Sequence, residues 1–226
     1  AESDISRVDG VERNPDRALD IMRSYARNIG SQASISTIAD DISGTEGGEI
    51  SEKTTISYIN ALRQIFVIED SKAWNPNLRS KTAIRTTDTR YFVDPSVGTA
   101  AMGLSPKDLI NDTNTFGFFF ENLAVRDLRI YAEIMDGKVE HYRDKNNLEC
   151  DIVIRLQNGK FALVEVKLGS EEGIKEGVKS LTTLSELLEP TAKNKPVFKA
   201  IVTATGQYAY QRQDGIYIIP IGCLKP

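Results

Sequence analysis

The chain of 226 residues holds one histidine and two cysteines, Cys150 and Cys223. A single histidine excludes a zinc site built from several imidazoles. Two cysteines provide no disulfide framework and suit a reducing, cytoplasmic setting. No apolar run approaches the roughly 20 residues that a membrane helix needs, so no membrane partner is expected. No basic segment followed by an apolar stretch opens the chain, and no signal peptide is visible. Excess charge is scarce too. The 28 Lys and Arg residues stand against 32 Asp and Glu, a net charge of −4, which does not announce a nucleic-acid binder.

What is present is an ordinary globular composition, 40% apolar and 27% charged, which argues against wholesale disorder. The charge is unevenly placed. Residues 1–50 have a net charge of −5, residues 51–90 of +3 and residues 91–226 of −2. The only basic segment is therefore the middle one, and an excess this small reads as a solvated surface before it reads as a nucleic-acid footprint.

The first third reads as helices. Asn14-Pro15 is a cap followed by a proline at the first helical position. Leu19, Ile21, Met22, Tyr25 and Ala26 then recur at helical spacing until Gly30. Ser34 or Ser36 opens a short second helix with Ile38 and Ile42 inward. Ser51 caps a third, with Ile56, Ile59 and Leu62 on one stripe. A strand near 65–68, a turn at Asn75-Pro76-Asn77 and a second strand near 82–86 follow. Three helices and then a hairpin is the order of a winged helix-turn-helix, and equally of a plain helical packing module with a surface hairpin. The boundary is placed near residue 88. The remainder, 89–226, predicts a strand at 90–93 and a long helix over 114–134. Strands then follow at 139–142, 148–156 and 161–168, a helix over 171–188, and strands at 197–203 and 216–219. This order predicts a mixed α/β sheet with helices on both faces.

The hairpin around Gln157-Asn158-Gly159-Lys160 allows its register to be argued. A two-residue loop would turn the apolar sides of the two strands opposite ways. A three-residue loop with Gly159 left-handed makes paired residue numbers sum to 316. Cys150, Ile152, Ile154 and Leu156 then share one face with Ala162, Val164, Val166 and Leu168. Because a one-residue slip moves every side chain to the other face, the second register is preferred. It sets Asp151 opposite Glu165 and Glu149 opposite Lys167. Two facing carboxylates repel, and one tends to hold a proton. A divalent cation relieves this, and hard oxygen ligands suit Mg or Mn. Lys167 beside them suits a developing phosphoryl charge. The plain alternative is a Glu149–Lys167 ion pair, with Asp151 and Glu165 bonded to backbone or basic groups. Glu121, on the long helix among apolar neighbours, is a further candidate acid, or a helix-edge glutamate facing solvent.

Glu121-Asn122-Leu123, Asp151 and Glu165-Val166-Lys167 together resemble the PD-(D/E)XK nuclease pattern. More closely, four blocks in order are similar to the C-terminal module, a domain of unknown function, of a family of AAA-type P-loop ATPases. These are Tyr91-Phe92-Val93-Asp94-Pro95-Ser96-Val97-Gly98, Phe118-Phe119-Phe120-Glu121-Asn122-Leu123, Tyr142-Arg143-Asp144 with Glu149-Cys150-Asp151, and Glu165-Val166-Lys167-Leu168-Gly169-Ser170. The resemblance implies a winged helix over 1–88 followed by a restriction-endonuclease-like domain over 89–226. It implies Asp151 and Glu165 as metal ligands for Mg or Mn, Lys167 as the charge-stabilising group and Glu121 as an extra helical acid. It also implies an ATPase domain elsewhere in the full-length protein, and oligomers formed through that domain. These residues contain no Gly-x-x-x-x-Gly-Lys-Ser/Thr loop, so ATP is not expected to bind this chain. Two functions are carried forward. One is a metal-dependent phosphodiesterase on nucleic acid, with Lys53, Arg63, Arg79, Lys81, Arg85 and Arg90 contacting backbone phosphates; Tyr58 and Asn60 read first as ordinary surface or packing residues and second as residues near bases. The other is a non-catalytic module that binds nucleic acid or protein and regulates the ATPase.

Overall fold

The computed structural model describes residues 5, 10–43, 49–76, 87–188 and 195–225. Among these are seven helices and one seven-stranded mixed sheet. The chain divides into two compact units. The first comprises Ala1–Asp70 and Thr87–Asn122, and the second Ser71–Thr86 and Leu123–Pro226. Relative to a boundary near 88, segment 71–76 thus goes with the second unit and segment 89–122 with the first.

In the first unit, α1 (Pro15–Arg27) starts at Asn14, whose side chain accepts from the Asp16 and Arg17 amides. α2 (Ile35–Ser43) buries Ile38 and Ile42. α3 (Glu52–Gln64) starts at Ser51, whose hydroxyl accepts from the Thr54 amide. Ile59 and Leu62 of α3 are buried as the spacing predicts, but Ile56 is exposed, and Thr55 and Tyr58 fill the inward positions instead. Tyr58 is therefore a packing residue, and its hydroxyl accepts from the Asn14 amide at 3.0 Å. After α3, segment 67–69 lies antiparallel to 91–93. Ile68 bridges Phe92, and the Glu69 and Val93 amides donate to the Tyr91 and Val67 carbonyls, each at 3.1 Å. Segment 90–93, expected in the α/β part, is thus built into the helical unit. The expected strand at 82–86 lies outside the described residues.

Two further helices, α4 (Pro95–Met102) and α5 (Pro106–Asn111), had no periodic apolar stripe to announce them. Their signals are local. Asp94 caps Pro95, left-handed Gly103 ends α4, and Ser105 and Asp108 form a reciprocal capping box. α6 (Thr113–Glu133) is divided between the units. Its Asn122, fully buried, exchanges both amide hydrogen bonds with the backbone of Phe92, at 2.8 and 3.1 Å.

The sheet belongs to the second unit. Its strands are β1 (Lys72–Ala73), β2 (Lys138–Arg143), β3 (Glu149–Arg155), β4 (Phe161–Lys167), β5 (Lys199–Thr203), β6 (Tyr210–Gln211) and β7 (Tyr217–Pro220), in the order β1-β2-β3-β4-β5-β7-β6. β2, β3 and β4 form an antiparallel meander, while β5 and β7 continue parallel to β4. α7 (Glu171–Leu188) supplies the crossover from β4 to β5 and packs on β3, β4 and β5. Beneath it lies a core of Val153, Phe161, Leu163, Leu181, Leu184 and Ile201. Trp74, just after β1, joins this core, its ring 4.8 Å from that of Phe161.

The β3–β4 hairpin has the expected register. Ile152 pairs with Val164, Val153 with Leu163, Ile154 with Ala162 and Arg155 with Phe161. The Leu156 amide donates to the Lys160 carbonyl at 2.9 Å, and Gly159 closes the three-residue loop with φ +81°. This left-handed conformation is one that glycine adopts without steric cost.

Candidate functional site

The chain departs from regular pairing where the candidate acids lie. On one side of β3, Glu140 of β2 faces Val153, while Tyr142 faces Cys150. Two steps along β2 therefore match three along β3, so β3 carries one extra residue at a β-bulge beside Asp151. A bulge resets the in-out alternation and re-aims a side chain. Two corrections follow. Cys150, expected with Ile152 and Ile154, instead joins the core under α7 with Val153 and Leu163. Glu149, expected opposite Lys167, pairs with Arg143 at 2.9 Å.

On the other side of β3, the ladder to β4 ends at Ile152 and Val164. The Val166 amide finds its partner in a side chain, donating to Asp151 Oδ2 at 2.7 Å. This bond fixes the carboxylate against β4. Two residues apart on the same strand face, Glu165 and Lys167 meet it. Lys167 Nζ lies 2.9 Å from Glu165 Oε2 and 3.9 Å from Asp151 Oδ2. Glu165 is 3% exposed. From α7, the Ser180 hydroxyl reaches both Glu165 Oε1 at 3.3 Å and the Glu149 carbonyl at 2.9 Å. Gly177 makes this approach close, since a Cβ there would stand 3.0 Å from Ile201 Cδ1 and 3.5 Å from Glu165 Cβ. Ser180 was missed from sequence, although it lies three residues after Gly177 and one before Leu181, on the border of the inward stripe of α7.

Two carboxylates and one ammonium leave the cluster one positive charge short. Burial pushes the Glu165 carboxyl up to about 8, the nearby Asp151 charge adds to this, and Lys167 opposes it. Burial raises Asp151 as well, against the pull of Lys167 and the Val166 amide. The cluster opens into a recess of about 470 Å³ lined by Glu149, Asp151, Glu165, Lys167, Lys179 and Ser180. Its donor set suits a divalent cation. Magnesium is commonly held by one or two carboxylates and retains several waters, and a cation here would offset both the burial and the mutual repulsion that raise the two carboxyls. Among the described residues no group of three or more His, Cys, Asp or Glu side chains is placed to hold a metal ion.

The other expected site residues fall as follows. Glu121 belongs to the first unit, where the Tyr91 hydroxyl donates to its Oε1. Lys53 is exposed on the first turn of α3. Arg63, at the last turn of α3, pairs with Asp70 at 2.5 Å and donates to Asn60 Oδ1 at 3.2 Å. Arg79, Lys81 and Arg85 lie outside the described residues. Arg90 cannot contact phosphates as expected, because it is 5% exposed, pairs with Asp70 at 2.8 Å and donates twice to the Ala33 carbonyl. The Tyr25 hydroxyl also donates to Asp70, whose side chain is 3% exposed. His141 is buried with Nδ1 3.1 Å from the Ser71 carbonyl, a packing position.

Comparison with known families gives two matches. Residues 1–108 match the model of a domain of unknown function, DUF8612, and residues 116–224 that of another, DUF4143. No curated protein matches the chain. Among the described residues no helix is long and apolar enough to cross a membrane.

Proposed function

We propose that the chain is the C-terminal module of an AAA-type ATPase and carries a metal-dependent phosphodiesterase site for nucleic acid. The observation that carries this reading is the convergence of Asp151, Glu165 and Lys167 at a bulged strand beside an open recess. In this reading the meander β2–β4 followed by α7 and parallel β5 is a restriction-endonuclease-like core. The α1–α3 unit with its 67–69 and 91–93 pairing is a winged-helix variant. The first model's match ends at residue 108 and the second's begins at 116, which fits a composite module. The ATPase domain, the nucleotide site and any oligomer belong to the rest of the full-length protein, which works in the cytoplasm.

Asp151 and Glu165 would hold Mg or Mn, which when bound lowers the pKa of a water and neutralises phosphoryl charge. The Val166 amide holds Asp151 in its rotamer, and Ser180 holds Glu165. Lys167 leaves Glu165 and turns its ammonium to the phosphoryl oxygens, where it stabilises the charge that develops as the bond breaks. Lys53 and, through its exposed edge, Arg63 contribute backbone contacts in the first unit.

The test is a Mg and Mn titration with linear and supercoiled DNA, on the full-length protein with ATP. Cleavage is expected, and both Lys167→Ala and Asp151→Asn abolish it. No cleavage at millimolar Mn overturns the reading. The second reading, a non-catalytic module that binds nucleic acid or protein and regulates the ATPase, is favoured by the lack, among the described residues, of any group of three or more His, Cys, Asp or Glu side chains placed to hold a metal ion. It predicts the same DNA affinity for Lys167→Ala as for wild type and no cleavage by either.

A further inference from the structure

A second recess lies at the carboxyl ends of the parallel strands β4, β5 and β7. It encloses about 300 Å³. Its floor is apolar, from Ile174, Ile218 and Pro220, and its rim carries Thr205, Tyr208 and Tyr210. Among the described residues that line it there is no Lys, Arg, Asp or Glu.

The recess is built by a constrained loop. The Ala204 amide donates to the Lys167 carbonyl at 3.3 Å, and the Thr205 hydroxyl donates to the Leu168 carbonyl at 3.2 Å. Gly206 has φ +140°, and a Cβ on it would stand 2.5 Å from Pro220 Cγ. A Cβ on Gly169, at φ +111°, would stand 2.4 Å from Thr205 Oγ1. Both backbone conformations are ones that residues with a Cβ rarely adopt, so glycine lets the loop pass close to Thr205 and Pro220. The two tyrosine rings it carries are 6.1 Å apart and tilted by 57°, and they stay in water, Tyr208 69% and Tyr210 44% exposed.

Exposed aromatic rings over an uncharged pocket do not suit a phosphate, which needs cationic or amide donors aimed at it. They suit a flat, neutral ring with polar edges. The ring faces provide stacking, the apolar floor takes the buried edge, and Thr and Gln side chains can bond the edge that remains. The pocket volume is at the lower end of the roughly 300–1,000 Å³ of ligand pockets, room for one such ring system and not for a duplex. Lys167, which faces the acidic cluster, and Gly169, which lines the recess, are two residues apart. Extended chain of that length spans at most about 7 Å, and one strand of a duplex rises about 3.4 Å per nucleotide.

We infer that this recess takes one unpaired nucleobase, stacked on one of the two tyrosine rings, Tyr208 or Tyr210, with the other at its edge, from the strand whose backbone lies at Asp151, Glu165 and Lys167. The inference rests on the phosphodiesterase reading for the identity of the polymer, and it adds the substrate class: single-stranded or frayed nucleic acid in preference to a closed duplex.

The experiment measures binding by fluorescence anisotropy in EDTA, where no cleavage can occur. The probes are a short labelled single strand, the same strand with abasic residues throughout, and a blunt duplex. The unmodified chain is expected to bind the single strand more tightly than the abasic strand by about tenfold or more, the scale of base–aromatic stacking. Tyr208→Ala/Tyr210→Ala is expected to lose the same factor at unchanged thermal stability, and Tyr208→Phe/Tyr210→Phe to keep the affinity. Equal affinity for the intact and abasic strands overturns the inference without recourse to any variant. So does preference for the duplex, or no binding of any oligonucleotide, which would give the surface to a protein partner. Ring-dependent binding without Mn-dependent cleavage removes the hydrolysis reading and leaves the base site standing. Cleavage with ring-independent binding does the reverse.

Discussion

Among the described residues, each unit has a carboxylate that is almost completely buried, Asp70 in the first and Glu165 in the second, and the two differ in what surrounds them. Asp70, in the first unit, receives Arg63, Arg90 and the Tyr25 hydroxyl. Two guanidinium groups and a hydroxyl converge on one buried carboxylate, and Arg90 also donates from Nε and Nη2 to the Ala33 carbonyl. Glu165, in the second unit, has Asp151 beside it and a single ammonium between them. Two anions share one cation, and the group faces a recess. The first carboxylate is fully paired with cations and closed in, as in a network that holds structure. The second is under-compensated and open, with a carboxyl displaced toward neutrality, a condition common at functional sites and also met in structural ion-pair networks. Charge balance, more than burial, separates the two.

The largest expected effect comes from breaking the closed network. Asp70→Ala leaves Arg90 buried without its anion and should cost about 3–5 kcal/mol of stability, read from urea unfolding followed by circular dichroism. A loss below about 1 kcal/mol would show that the network contributes no more than a surface pair.

The open cluster should respond with the opposite sign. The Glu165 carboxyl stands near 8 when folded and near an ordinary glutamate value when unfolded. Between those values the unfolded chain has released a proton that the folded chain keeps, so this group's contribution to stability falls as pH rises from about 4.3 to about 8. Glu165→Gln has no proton to release. It should therefore be more stable than the wild type at pH 8, by on the order of 1–3 kcal/mol, with the gap closing toward pH 4.5. A gap independent of pH refutes the displaced carboxyl. Millimolar Mg should stabilise the wild type at pH 8 and not the Gln variant.

The smallest effect separates the two cations of α3. Lys53→Glu should leave stability within about 0.5 kcal/mol and weaken binding to DNA in a salt-dependent manner, whereas Arg63→Glu should lower stability by setting a second acid against Asp70. Equal stability losses would place Lys53 in a structural pair, and unchanged DNA affinity would remove α3 from the interface.

The contrast also shows how far the sequence could be read. The hairpin register was legible because the Gln157-Asn158-Gly159 loop admits left-handed backbone at glycine and because only one pairing aligns the apolar faces. The bulge was not. Cys150, Ile152, Val153 and Ile154 leave β3 apolar on both sides, so an inserted residue changes which face each occupies without changing the pattern. Asp151, Glu165 and Lys167 were found together, but Ser180 and the Val166 amide that position them needed the packing of α7 and the end of the ladder. Arg90 was misread for a similar reason. A lone arginine in a basic stretch looks solvated, and its anion is 20 residues away, in a contact that exists only once 67–69 and 91–93 have paired.

The path of the backbone has its own consequence for dissecting the gene. Because β1 and Trp74 are encoded between two stretches of the helical unit, the chain crosses between units at 70/71, 86/87 and 122/123. No single cut can release both units whole. A fragment beginning at 89 would lack the edge strand and the indole that packs on Phe161, and one ending at 88 would lack the segment that pairs with 67–69. Domain swaps and tagged truncations will inherit this interleaving, and inactivity in such a piece reports broken folding before it reports anything about chemistry.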